Sequence, residues 1–234
     1  MSQDSVKRDW REGLTWYTHE TSVARLIKFV GQIMFRTMAH VEYTGIENIP
    51  MTGRLVMASN HISNFDVPFI VIHLPRHPFF MTKQELFKYG FGWAIRMFGG
   101  FAIKRGKRDR WALEQAGRVL AAEGMLFMFP EGTRSRQKGQ LQRGKVGAVK
   151  LALEYQAPIL PMAITGTQQA RLGWKANRIT LHFGKPLDMV TLAGSPPYDD
   201  ATLRHLTDIM MQRIAALLPP DQRGFYAEED QSER

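Results

Sequence analysis

Leu55-Val56-Met57-Ala58-Ser59-Asn60-His61-Ile62-Ser63-Asn64-Phe65-Asp66 is the stretch on which the fold turns. Its first half is near-continuously apolar, as in a strand buried on both faces of a parallel sheet. His61 then emerges at the strand's carboxyl end, where open α/β sheets place their sites. If the chain turns helical just after His61, Asp66 returns to the imidazole after little more than one turn, and Ser63 can cap that turn. A carboxylate on one ring nitrogen fixes the tautomer and leaves the other nitrogen basic and facing a substrate hydroxyl. Taken alone, the same spacing also describes a surface loop with an incidental histidine.

Outward from this stretch the pattern repeats. Phe79–Thr82, Phe101–Lys104, Leu126–Phe129, Ile159–Ile164 and Ile179–Phe183 read as further buried strands. Helical patterns lie between them: one capped by Asp109 and stopped by Gly124, one from about Lys145 to Tyr155, and a last one from Asp199 ended by Pro219-Pro220. This interleaving predicts an α/β layered fold, a central mostly parallel mixed sheet flanked by helices. The expected organisation is an N-terminal amphipathic segment over 1–44, a catalytic domain over 45–220 and a flexible charged tail over 221–234.

Two other strand ends carry chemistry. Phe129-Pro130-Glu131-Gly132-Thr133-Arg134-Ser135-Arg136 follows one apolar run, and Gly99-Gly100-Phe101-Ala102-Ile103-Lys104-Arg105 closes another. Glycine permits close backbone approach, and arginine offers a planar fork to phosphate or carboxylate. Most of Lys104, Arg105, Lys107, Arg108 and Arg110 read as a solvated charge run; Arg105 and Arg134 are the exceptions. Together with His61 and Asp66 they describe a general base beside a phosphate clamp.

Composition narrows the classes. The 234 residues contain no cysteine, which removes disulfide scaffolds, Cys-ligated metal and a thiol nucleophile. Thirty-one Lys and Arg against twenty-two Asp and Glu give a net charge of +9 and demand an anionic partner. Gly139–Lys145 spells Gly-x-x-x-x-Gly-Lys, but Val146 stands where a P-loop needs Ser or Thr. No Gly-x-Ser-x-Gly elbow exists. No secretory signal is read, and Leu55–Pro75, though long, is interrupted by Asn60, His61, Asn64 and Asp66, which are costly in lipid.

The assembled blocks resemble the glycerolipid acyltransferase family, most nearly its bacterial lysophosphatidate acyltransferases. Asn60, His61 and Asp66 match Asn-His-x-x-x-x-Asp, with Ser63 within it; Gly99 to Arg105 matches a glycine-rich block ending in Arg. Phe129 to Arg136 matches the third block residue for residue, and Ile159-Leu160-Pro161-Met162 the fourth. The second block departs at Ala102, where the family often has Phe. The resemblance covers about residues 45–190. It implies transfer of a fatty acyl group from acyl-CoA or acyl carrier protein to the sn-2 hydroxyl of 1-acyl-glycerol-3-phosphate, giving phosphatidic acid, with no bound cofactor or metal. His61 is then the base, oriented by Asp66. Arg105, Glu131, Gly132, Thr133 and Arg134 bind the substrate phosphate, and Asn60, Ser63, Lys104 and Pro161 support them. Glu131 would either position an arginine or bind a glycerol hydroxyl.

Ser22 to His40 has helical periodicity: Val23, Leu26, Ile27, Val30, Ile33, Met34 and Met38 against Arg25, Lys28, Gln32 and Arg36. The pattern fits a helix in an anionic membrane interface, through Arg25, Lys28, Phe29 and Arg36, or a helix packed on its own core. The first reading puts the chain on the cytoplasmic face of the inner or cell membrane, peripheral or monotopic, and makes residues 1–40 separable from the core. Aromatic Phe91, Trp93 and Phe98 either contact lipid, line an acyl tunnel or pack in the core. Rival readings are acylation of another lysophospholipid, glycerol-3-phosphate or lyso-ornithine lipid, and a non-catalytic basic binder of membrane or nucleic acid. No nucleic-acid module is present to favour the last, and no nucleic-acid partner is expected.

Overall fold

The computed structural model describes residues 9–17, 19–88, 90, 92–106, 109–135, 139–169 and 178–227. Seven strands form one sheet: β1 (His40–Thr44), β2 (Leu55–Ser59), β3 (Pro78–Lys83), β4 (Gly100–Ile103), β5 (Met125–Met128), β6 (Ile159–Thr165) and β7 (Arg178–Phe183). Their order is β1-β7-β6-β2-β5-β3-β4, parallel throughout except between β6 and β7. The central β2 is buried at all five positions. Because strand side chains alternate, Val56 and Ala58 join Val119, Leu126 and Val149 on one face, while Leu55 and Met57 join Phe69, Ile70 and Phe127 on the other.

The helices are α1 (Ser22–Met38), α2 (Asp66–His73), α3 (Gly92–Met97), α4 (Arg110–Ala121), α5 (Gly147–Glu154), α6 (Met189–Ala193) and α7 (Asp200–Ala216). The side chains of Thr21, Asp109 and Asp199 cap α1, α4 and α7. Core residues of α4, α5 and α7 cover the Val56 face; α2, with Phe35 of α1, covers the Leu55 face.

Four expectations are corrected. His40–Thr44 does not end an N-terminal segment: it pairs in register with β7 as the sheet's edge strand. The chain does not turn helical directly after His61; a loop intervenes and α2 begins at Asp66. Of the tail expected over 221–234, residues 221–227 are not loose, since Phe225 N–H donates to Leu141 O and Tyr226 Oη donates to Asp208 at 2.8 Å, and 228–234 lie outside the described residues. Finally, Lys28 is buried, while Val23, Leu26, Phe29, Val30, Ile33 and Met34 are all more than half exposed. Gln32, also turned inward, donates to Ile72 O at 2.8 Å, and at Gly31 a Cβ would stand 3.2 Å from Ile72, so α1 lies close on α2. The helix thus turns Lys28 and Gln32 inward, keeps Arg25 exposed and leaves an apolar face uncovered. No helix among the described residues is long and apolar enough to cross a membrane.

Candidate active site

Parallel strands bring their carboxyl ends to one edge of the sheet, and the turns after β2, β3, β4 and β5 meet there around a cleft of about 540 Å³. His61 lies after β2. Its Nδ1 is 2.7 Å from Oδ2 of the fully buried Asp66, which also accepts the Ile62 and Ser63 N–H groups at 2.7 and 2.8 Å. Oδ1 accepts the Thr167 hydroxyl. With Oδ2 accepting, the imidazole carries its proton on Nδ1, and Nε2 has no hydrogen-bond partner among the described residues. The Phe129 ring stacks on the imidazole at 3.9 Å and 14°, which fixes its plane.

The backbone beneath His61 is held as firmly. Its N–H donates to Glu131 Oε1 at 2.9 Å, and its carbonyl accepts Ser135 N–H at 2.8 Å. Asn60, buried, exchanges two hydrogen bonds with the Ile164 backbone at 2.8 and 2.9 Å and so ties the end of β2 to β6. Ser63 accepts from Phe65 N–H rather than capping a turn at His61.

Arg105, Thr133 and Arg134 line the same cleft as His61. Partial burial, reinforced by the neighbouring Arg134 and opposed by Glu85, lowers the proton affinity of Arg105. With Lys83, three cationic residues line this one space. Much of the remaining wall is apolar, with Val67 and Val71 from α2, Phe80 from β3, Ile95 from α3, and Phe98, while Asn64, Thr82 and Lys83 add polar groups. Trp93 is exposed, and Phe91 lies outside the described residues.

Other expected site residues stand elsewhere. Glu131 is buried and, among the described residues, pairs with no arginine and does not line the cleft: it accepts His61 N–H and Gln142 N–H, each at 2.9 Å. Burial pushes its carboxyl up to about 7 against those two bonds. Gly132 serves the turn through its φ of +70°, and a Cβ there would meet the Lys145 side chain. Lys104 turns away to Asp9, 2.7 Å from its Nζ. Pro161 sits inside β6 opposite Ala58. Arg25 pairs with Glu20 at 3.5 Å; the Arg36 side chain lies outside the described residues. Thr167 and the stacked role of Phe129 carry no sequence signal.

An imidazole held by a carboxylate shares one cleft with a pair of arginines at the carboxyl edge of this sheet. Residues 40–165 match the family model described as Acyltransferase, and the chain belongs to that family. It is similar to the 1-acyl-sn-glycerol-3-phosphate acyltransferase of Bacillus subtilis (strain 168), 28% identical over 173 residues, covering 73% of this chain and 84% of that one. The enzyme of the same name from Limnanthes douglasii is 32% identical over 161 residues and 66% of this chain, which spans 54% of its length. The crystal structure of the 1-acyl-sn-glycerophosphate acyltransferase from Thermotoga maritima superposes with a TM-score of 0.66 at 27% identity, covering 83% of this chain and 78% of that one.

Proposed function

We propose that this chain transfers a fatty acyl group from the thioester of acyl-CoA or acyl carrier protein to the free sn-2 hydroxyl of 1-acyl-glycerol-3-phosphate, yielding phosphatidic acid. The observation that carries this is the convergence of His61, Arg105 and Arg134 on one cleft with an apolar wall. Nε2 of His61 takes the hydroxyl proton as that oxygen attacks the thioester carbonyl. The carbon–sulfur bond breaks, and the departing thiolate takes the proton back from the imidazolium that Asp66 stabilises. Arg105 and Arg134 hold the acceptor phosphate and Thr133 adds a hydroxyl, placing the attacking oxygen near His61. Val67, Val71 and Phe80 accept an acyl chain. The uncovered face of α1, with Phe29 and Ile33, rests in an anionic bilayer, so the enzyme works peripherally at the cytoplasmic face.

Thiol release tests the reading. Purified protein is mixed with acyl-CoA, lysophosphatidate and a thiol-reactive dye, to which a chain without cysteine contributes no background. Release should depend on lysophosphatidate and fall by about 10²- to 10⁴-fold in His61→Ala. Release with another acceptor would move the substrate and keep the chemistry. Silence with acyl-CoA and acyl carrier protein donors alike would sink the proposal.

A further inference from the structure

We propose that Arg11 is a positioning residue for the phosphate end of the cleft: it holds the loop that carries Arg105, making residues 9–17 part of the acceptor site. The inference rests on reading Arg105 as a phosphate ligand. Arg11 lies in a short 3-10 turn, Trp10–Gly13, and is only 1% exposed. All five of its N–H donors are used. Nε and Nη2 donate to Asp9 at 3.0 and 2.7 Å, Nη1 and Nη2 to Asp109 at 2.6 and 3.0 Å, and Nη1 to Ala102 O at 3.1 Å. The guanidinium also lies 4.3 Å over the ring of Trp111.

These partners bracket Arg105. Ala102 belongs to β4, just before it, and Asp109 begins α4, just after. Asp109 Oδ2 accepts Lys104 N–H at 2.7 Å, and Asp9 takes the Lys104 ammonium at 2.7 Å. One buried fork therefore fixes the backbone on both sides of the loop. Arg105 itself makes no hydrogen bond or ion pair among the described residues, so its aim into the cleft is inherited from that backbone. A buried guanidinium with two carboxylates gains little stability over apolar packing, but it dictates direction and register, as a positioning device must. The N-terminal segment, expected to be separable from the core, supplies that device.

The test compares Arg11→Lys, Arg105→Ala and the double variant of the full chain, with the phosphorylated acceptor that supports thiol release. Arg11→Lys keeps the charge and loses the fork. It should raise the acceptor KM on the order of tenfold, the size expected for a lost charge-assisted contact, with kcat and the acyl-CoA KM little changed. A purely structural role would lower the melting temperature and active fraction and leave the acceptor KM alone. Arg105→Ala should raise the same KM, and adding Arg11→Lys to it should do nothing more. An unchanged acceptor KM in Arg11→Lys, or additive effects in the double variant, overturns the inference while the Arg105 reading survives. An unchanged KM in Arg105→Ala removes that reading and the inference with it. Should Arg11→Lys fail to fold, Asp9→Asn weakens the same clamp: a raised acceptor KM supports it and an unchanged one overturns it.

Discussion

The two ends of the cleft are built in opposite ways. At one end His61 and Asp66 are 5 positions apart, and the carboxylate is buried with every close donor satisfied. At the other, Arg105 and Arg134 are exposed side chains on turns, and the bonds that hold the Arg105 loop join residues 98 positions apart. The difference follows from the work proposed for each end. A general base must meet one proton along one line, so its geometry is locked over a short span. An anion clamp acts through charge that falls off slowly with distance, so long, mobile side chains suffice provided their roots are placed.

The largest expected effect probes the rigid end through Glu131. Burial raises its carboxyl from 4.5 to about 7. Between those values the folded chain keeps a proton that the unfolded chain has released, so stability present below pH 4.5 is lost as pH rises toward 7. The loss amounts to about 3 kcal/mol. Glu131→Gln removes the titration, so urea unfolding at pH 5 and pH 8 should differ less in the variant than in the parent. Equal differences in both proteins would show that Glu131 does not titrate in that window.

The next effect belongs to the other end. Arg134→Ala should raise the acceptor KM by about tenfold with kcat nearly kept, since the base is untouched. The penalty should shrink as salt rises, because an exposed charge pair is screened. Steady-state kinetics at two ionic strengths check this. A fall in kcat at unchanged KM would erase the contrast between the two ends.

The same contrast governs what the sequence discloses. His61 and Asp66 are legible because their geometry is local, and β2 because burial on both faces leaves a continuous apolar run. The edge strand β1 is not legible: its five residues are only half-buried or exposed, and its register comes from β7, more than a hundred residues later. Motifs give residue types and not the direction in which they point. Gly132 at φ +70° completes a turn in which Glu131 faces inward to the His61 backbone, and Asp9 draws Lys104 away from the cleft. Periodicity likewise gives α1 two faces without saying that α2 covers the one holding Lys28 and Gln32. Arg11 carries no sequence signal of its own; its burial depends on Ala102 and Asp109, far along the chain.

Thr167, like Glu131, reaches the rigid end from far along the chain, and it yields the smallest effect on activity. It lies 101 positions from Asp66, in the turn after β6, and donates its hydroxyl to Oδ1 while itself fully buried. Asp66 keeps His61 and two backbone N–H groups on its other oxygen, so losing Thr167 does not free the imidazole. Thr167→Val preserves shape and leaves Oδ1 buried without a donor, a cost of about 1–3 kcal/mol in stability. Activity should fall only by roughly two- to fivefold, because the Oδ2 contact that sets the His61 tautomer and the two backbone N–H groups that hold Oδ2 survive. Thr167→Ser, which restores the hydroxyl, should recover most of both. Unfolding midpoints and kcat for the two variants decide the matter. A loss in Thr167→Val as deep as that in His61→Ala would mean the base is held through β6 and not by its own short loop, and the local character of that end would fall.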